Sequence, residues 1–161
     1  MKRFLLILII TSLFCCAHVV SKELREKAYG EPPPSVLLKD PDSFKGRIVI
    51  LGGVIISSSN TEEGTYIEVL QKPLDYQGRP EDTDVSSGRF IIFYEGYLDT
   101  AVYSQGREVT VAGEVMGKKV RPLGEIQYPY LLIKSKETYL FEPRYYMPVH
   151  FGIGIGVWHA F

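Results

Sequence analysis

The chain has 161 residues, 45% of them hydrophobic and 23% charged, with a formal net charge of −1. These are ordinary values for a globular protein, and the length suits one domain with a real core while being short for two. A slightly acidic balance argues against the basic footprint on which nucleic-acid binding depends.

The first element is an apolar run with a basic start. Lys2 and Arg3 precede Phe4 to Phe14, in which only Thr11 and Ser12 are polar. About eleven apolar residues are too few to span a bilayer as a helix, which takes ~20. Behind a basic flank they read as the h-region of a secretory signal peptide. No small-residue A-x-A cleavage site follows. In its place stands "LFCC", Leu13 to Cys16, the only two cysteines of the chain. This resembles the lipobox of bacterial lipoproteins, where the cysteine after a Leu-x-small triplet is diacylated on sulfur, becomes the mature N-terminus and is acylated on its amine.

The resemblance implies that residues 1–15 are a leader and that Cys16 is the lipidated residue, with Leu13 at −3. Phe14 and Cys15 depart from the usual small residues, so Cys15 stays a second candidate. The plainer alternative is that both cysteines merely fill an apolar leader. Cleavage before Cys16 removes two cations, Lys2 and Arg3, and leaves the mature chain more acidic and without a free thiol. Two acyl chains anchor stably where one is marginal. Ala17 stands where lipoproteins kept at the inner membrane usually carry Asp, so this position resembles outer-membrane sorting.

Residues 16–34 read as a lipidated tether. The segment is polar, charge-balanced and ends in "EPPP" (Glu31 to Pro34), which favours extended polyproline geometry. Fully extended, Ala17 to Pro34 would reach at most ~60 Å. Within it, "SKELREKAY" suits a short helix capped by Ser21 but shows no wide apolar stripe. Asp40, Pro41 and Gly46 then punctuate one short helical turn.

From there the pattern is that of strands. "RIVILGGVIIS" (Arg47 to Ser57) is β-branched and apolar on both faces, and its Gly52-Gly53 pair predicts a bulge or tight bend. "TYIEVLQ" (Thr65 to Gln71), "RFIIFYE" (Arg89 to Glu95), "REVTVAGEVMG" (Arg107 to Gly117) and "PYLLIKSKETYLF" (Pro129 to Phe141) follow. Five strands without a long helix predict an all-β domain over residues 35–142, a small five-stranded OB-like Greek-key barrel. Another small sandwich or barrel is the alternative. A Gly/aromatic tail, 143–161, completes the chain.

In this order and spacing, "GGVI", "PLDYQGRP", "SSGRF", "GYLD" and "GREVTVAGEVMG" are similar to the Slp family of outer-membrane lipoproteins, the starvation-inducible lipoproteins of Gram-negative bacteria. The resemblance implies a lipid-anchored, periplasm-facing domain at the outer membrane, linked to starvation or acid stress and without an established enzymatic activity. Family tails are often richer in Pro than this one.

Few residues suggest chemistry. The Lys72–Gly88 loop holds Asp75, Glu81, Asp82 and Asp84, but "PEDTDVSSG" only loosely approximates a calcium loop, and a solvated acidic loop is the simpler reading. A metal-dependent periplasmic enzyme built on this loop is the enzymatic alternative. His18, His150 and His159 lack zinc spacing, and no G-x-S-x-G element is present. No catalytic, cofactor-binding or metal residue is therefore assigned.

"GKKVRP" (Gly117 to Pro122) reads as a cationic turn, solvated or touching anionic headgroups or polysaccharide; nucleic acid is not expected as a partner. In "VHFGIGIGVWHAF", Phe151, Ile153, Ile155, Val157, His159 and Phe161 alternate with Gly152, Gly154 and Gly156. Such a segment suits a flexible tail, a strand docked on its own barrel, or a contact with a partner or the membrane. The expected partners are thus the membrane, through acyl chains on Cys16, and an envelope protein or polysaccharide. An assembly subunit docking through its tail is the second functional reading.

Overall fold

The computed structural model describes residues 18–144, and the expectations for Cys16 and for the tail beyond Arg144 fall outside them. Five strands, β1 (Ile48–Thr61), β2 (Gly64–Lys72), β3 (Arg89–Tyr94), β4 (Glu108–Leu123) and β5 (Ile126–Leu140), form the barrel. They close in the order β1-β2-β3-β5-β4. All neighbours are antiparallel except β3 and β5, which pair in parallel. A meander of three strands followed by a crossover to β4 is the Greek-key barrel of the OB-fold. The expected all-β class and architecture are those observed.

Alternation builds the interior. Val49, Leu51 and Ile55 of β1 point inward with Ile67 and Val69 of β2, Phe90 and Ile92 of β3, Val109 and Val111 of β4, and Leu131 and Ile133 of β5. Each is essentially inaccessible to solvent. β1 is apolar on both faces because its outer side is covered too: Ile48 and Ile50 pack with Ala112 under an N-terminal helix. The register shift between β1 and β2 lies at Ile55 and Ser57, beyond the glycine pair where the bulge was expected. Gly53 serves close approach, since a Cβ there would collide with the Leu70 carbonyl.

The cationic segment Gly117 to Pro122 is strand, and the expectation of a turn there is corrected. β4 and β5 run on as a hairpin to Leu123 and Ile126, reversing at Gly124, whose φ of +60° permits the tight turn. Glycine, proline and clustered cations look like turn chemistry, yet the continuing alternation lets Lys119 and Arg121 share one face.

The N-terminal segment also departs from expectation. Helix α1 (Lys22–Lys27) forms with Ser21 accepting from the Leu24 amide, as the sequence predicts. It does not belong to an extended tether: in the described part of the segment, Val20, Leu24 and Ala28 are buried. Their i, i+4 spacing makes a narrow stripe, and a narrow stripe suffices because Ala112 offers a flat seat between strands. Burying such Val and Leu side chains contributes about 1.5–3 kcal/mol each. The prolines initiate helix α2 (Pro34–Lys39) with Pro34 in its first turn, and Leu37 and Leu38 join the core. A 3₁₀ turn, Pro41–Phe44, follows where one helical turn was expected.

Candidate functional site

The outer face of β1 and β4 carries one connected set of polar contacts. Over it folds the loop from Pro73 to Pro80, which leaves β2 and is closed by an isolated bridge between Leu74 and Pro80. The Asp75 carboxylate accepts from the amides of Gln77 and Arg79, both at 2.9 Å, which shapes the turn. Gly78 takes φ of +86°, and a Cβ there would stand 2.7 Å from the His18 ring. Its carbonyl accepts from the buried Thr110 hydroxyl at 2.7 Å.

Next to this turn, Glu108 holds two arginines. Arg79 Nε lies 2.7 Å from Glu108 Oε2, and Arg144 Nε lies 2.8 Å from Glu108 Oε1. Arg79 also donates to the Glu142 carbonyl at 3.0 Å and lies 5.0 Å from the Phe141 ring centroid. Arg144 donates to the Pro80 carbonyl at 2.6 Å. One carboxylate thus ties the loop, the start of β4 and the end of β5 together, and Glu108 is largely shielded from solvent. Sequence reasoning missed this clamp, because Glu108 looked like one more outward residue of an alternating strand.

Two of the residues considered for a metal are otherwise engaged: Asp75 in its own turn, and His18, which accepts from the Val20 amide through Nδ1 at 3.0 Å. Burial, then Arg25, hold the His18 pKa below the usual histidine range. Among the described residues, no group of three or more His, Cys, Asp or Glu side chains is placed to hold a metal ion.

A second missed residue is Glu31. Its carboxylate accepts from the Ile50 amide at 2.8 Å, just before β1 begins pairing with β2 at Gly52. The side chain therefore stands in for a strand partner at that edge. Burial pushes its pKa up to about 7, against the pull of the Ile50 amide and Arg47. A cleft of about 290 Å³ opens there, lined by Glu31, Ile50, Gly52, Gln71, Leu74 and Ser87. Gln71 is buried, with its Oε1 accepting from the Ser87 amide at 2.8 Å.

The cations of the hairpin cover an aromatic cluster. Lys119 Nζ lies 3.9 Å and Arg121 Cζ 4.8 Å from the Tyr66 ring centroid. Tyr66 packs on Phe93 at 4.9 Å, and Tyr128 on Tyr130 at 4.8 Å. Glu68 accepts from Arg89 at 2.7 Å and from the Tyr130 hydroxyl at 3.1 Å. Tyr66 and Tyr130 are buried, so these two rings offer no open face for a stacking base. Burial, then Arg121, lower the Lys119 pKa.

The model of the outer membrane lipoprotein Slp family matches residues 13–156. The chain belongs to this family. Curated relatives include an uncharacterized lipoprotein, YeaY, of Escherichia coli (strain K12), 26% identical over 98 residues, or 61% of this chain and 50% of that protein. An uncharacterized protein of Haemophilus influenzae is 28% identical over 90 residues, 55% of this chain and 49% of that one. The chain therefore spans about half the length of these relatives. Among solved structures, a small single-stranded DNA-binding protein from Streptomyces coelicolor superposes with a TM-score of 0.34 at 14% identity. That match covers 58% of this chain and 91% of the other. Several Slp segments meet in space: "PLDYQGRP" supplies the turn and Arg79, "GREVTVAGEVMG" supplies Glu108 and Thr110, and "GGVI" and "SSGRF" border the Glu31 cleft. "GYLD" lies elsewhere, where the Leu98 amide donates to Thr65.

Proposed function

We propose that the chain is a non-enzymatic lipoprotein held at the outer membrane by acyl chains on Cys16, facing the periplasm. Its barrel acts by binding, in envelope maintenance or in the response to starvation or acid. One observation carries the reading: "LFCC", behind a basic start and an apolar run, lies within the residues matched by the Slp model. Glu31, Arg79, Glu108 and Arg144 are engaged in holding segments to the barrel, which supports a binding role for the domain. The cleft beside Glu31 is the opening best suited to a ligand, apolar for the most part with hydrogen-bonding groups at Glu31, Gln71 and Ser87.

Fractionation tests the reading. The wild-type protein is expected to sediment with outer membranes and Cys16→Ser to lose that association; equal membrane retention of both would contradict it. A second reading, assembly with an envelope protein through the tail, draws support from Arg144. That residue is pinned to Glu108 and Pro80, so the tail starts from a defined point on the barrel. Deleting Pro148 to Phe161 should then abolish crosslinks to partners, and an unchanged crosslinking pattern would remove this reading.

A further inference from the structure

We propose that the Pro73–Pro80 loop, with Tyr76 exposed on it, is the side of the barrel that rests on the phospholipid surface. The inference rests on lipidation of Cys16 and adds an orientation to it. From residue 18 onward the chain is seated on this loop: the Val19 amide donates to the Gln77 carbonyl at 3.0 Å, and the His18 ring lies against Gly78. Only two peptide units separate Cys16 from His18, a reach of at most about 7 Å. The cysteine side chain and its glycerol add the length of a few bonds. The residues that could have formed a longer leash are packed instead, with Val20 and Leu24 buried on β1 and β4 and Ala28 also buried. Acyl chains on Cys16 thus bring this loop to headgroup level.

The loop is suited to that position. Tyr76 is 79% exposed, and tyrosine favours the interface, where its ring meets apolar chains and its hydroxyl meets water. The described chain also ends on this side, with Arg144 on the Pro80 carbonyl. The sequence that follows Arg144 holds Phe151, Ile153, Ile155, Val157 and Trp158. The opposite end of the barrel carries Tyr97, next to Leu98, whose carbonyl accepts from Asn60. Eight residues of β1 separate Gly52, under Leu74, from Asn60, at most about 25 Å of strand, which sets Tyr97 toward the other end of the barrel from the loop.

Single-cysteine labelling tests this, because a mature chain acylated on Cys16 has no other thiol. Tyr76→Cys and Tyr97→Cys, both at exposed positions, would be purified in lipidated form, labelled with an environment-sensitive fluorophore and reconstituted. The vesicles would contain phosphatidylethanolamine, phosphatidylglycerol and a headgroup-nitroxide lipid. The expected result is loss of most fluorescence at position 76 and little loss at 97. Equal quenching at the two positions, or stronger quenching at 97, on protein that floats with the vesicles would overturn the orientation and leave the anchor intact. Wild-type protein that takes up the thiol label and does not float would overturn both.

Discussion

Glu31 shows how one side chain can make the docking of a segment respond to pH. Its pKa stands above the ordinary 4.5, at about 7, so the folded state binds a proton more tightly than the unfolded chain does. Its contribution is therefore fully present below about pH 4.5 and is lost as pH rises through about 7. Chemical denaturation from pH 5 to 7.5 should show Glu31→Gln losing a fall in stability that the wild type has from Glu31, set against the opposite contribution of His18; an unchanged pH dependence in the variant would exclude Glu31. Glu108 matters through its contacts, as the carboxylate that pairs with both Arg79 and Arg144. Glu108→Ala should cost about 1–3 kcal/mol, because it removes the one carboxylate that both Arg79 and Arg144 hold in a partly shielded place. Urea midpoints would measure it. Neither residue was legible in the sequence. Glu31 sat in what read as a polar spacer, and Glu108 in a regular alternation; their roles depend on which segments the topology places opposite them.

The five strands could be read from alternation because each has one face in a common core, and a period of two survives any choice of partner. The coverings of the barrel could not be read in the same way. The segment around helix α1 buries only Val20, Leu24 and Ala28, too few to stand out, and Val20 and Leu24 owe their value to Ile48, Ile50 and Ala112 across the contact. Leu24→Ala should release α1 at a cost of about 2 kcal/mol while the barrel stays folded. Hydrogen exchange would show faster exchange over residues 20–28 and little change at Ile67 or Ile92; uniform acceleration throughout would contradict a separable covering. The hairpin is similar. Lys119 and Arg121 resembled a solvated turn, but both lie over Tyr66. Replacing both by Ala should destabilise the protein by about 1–2 kcal/mol and raise the exposure of Tyr66, measured by urea denaturation with tyrosine fluorescence.

At the scale of the whole molecule, a lipid-anchored domain is defined by its address and by the length of its leash. The segment that reads as a long leash in the sequence is packed from residue 18 onward, with Val20 and Leu24 on the barrel and Glu31 on the Ile50 amide. The described residues begin on the Pro73–Pro80 loop, where the Val19 amide meets Gln77, and Arg144 reaches the same loop at Pro80, which is the side the proposed anchor would serve. Everything about that arrangement depends on the chemistry of Cys16. Mass spectrometry of the mature protein taken from native membranes tests it most directly. The account predicts an N-terminal residue 16 carrying a diacylglyceryl group on sulfur and an acyl group on its amine. A mature chain with an intact, unacylated Cys16 would contradict it.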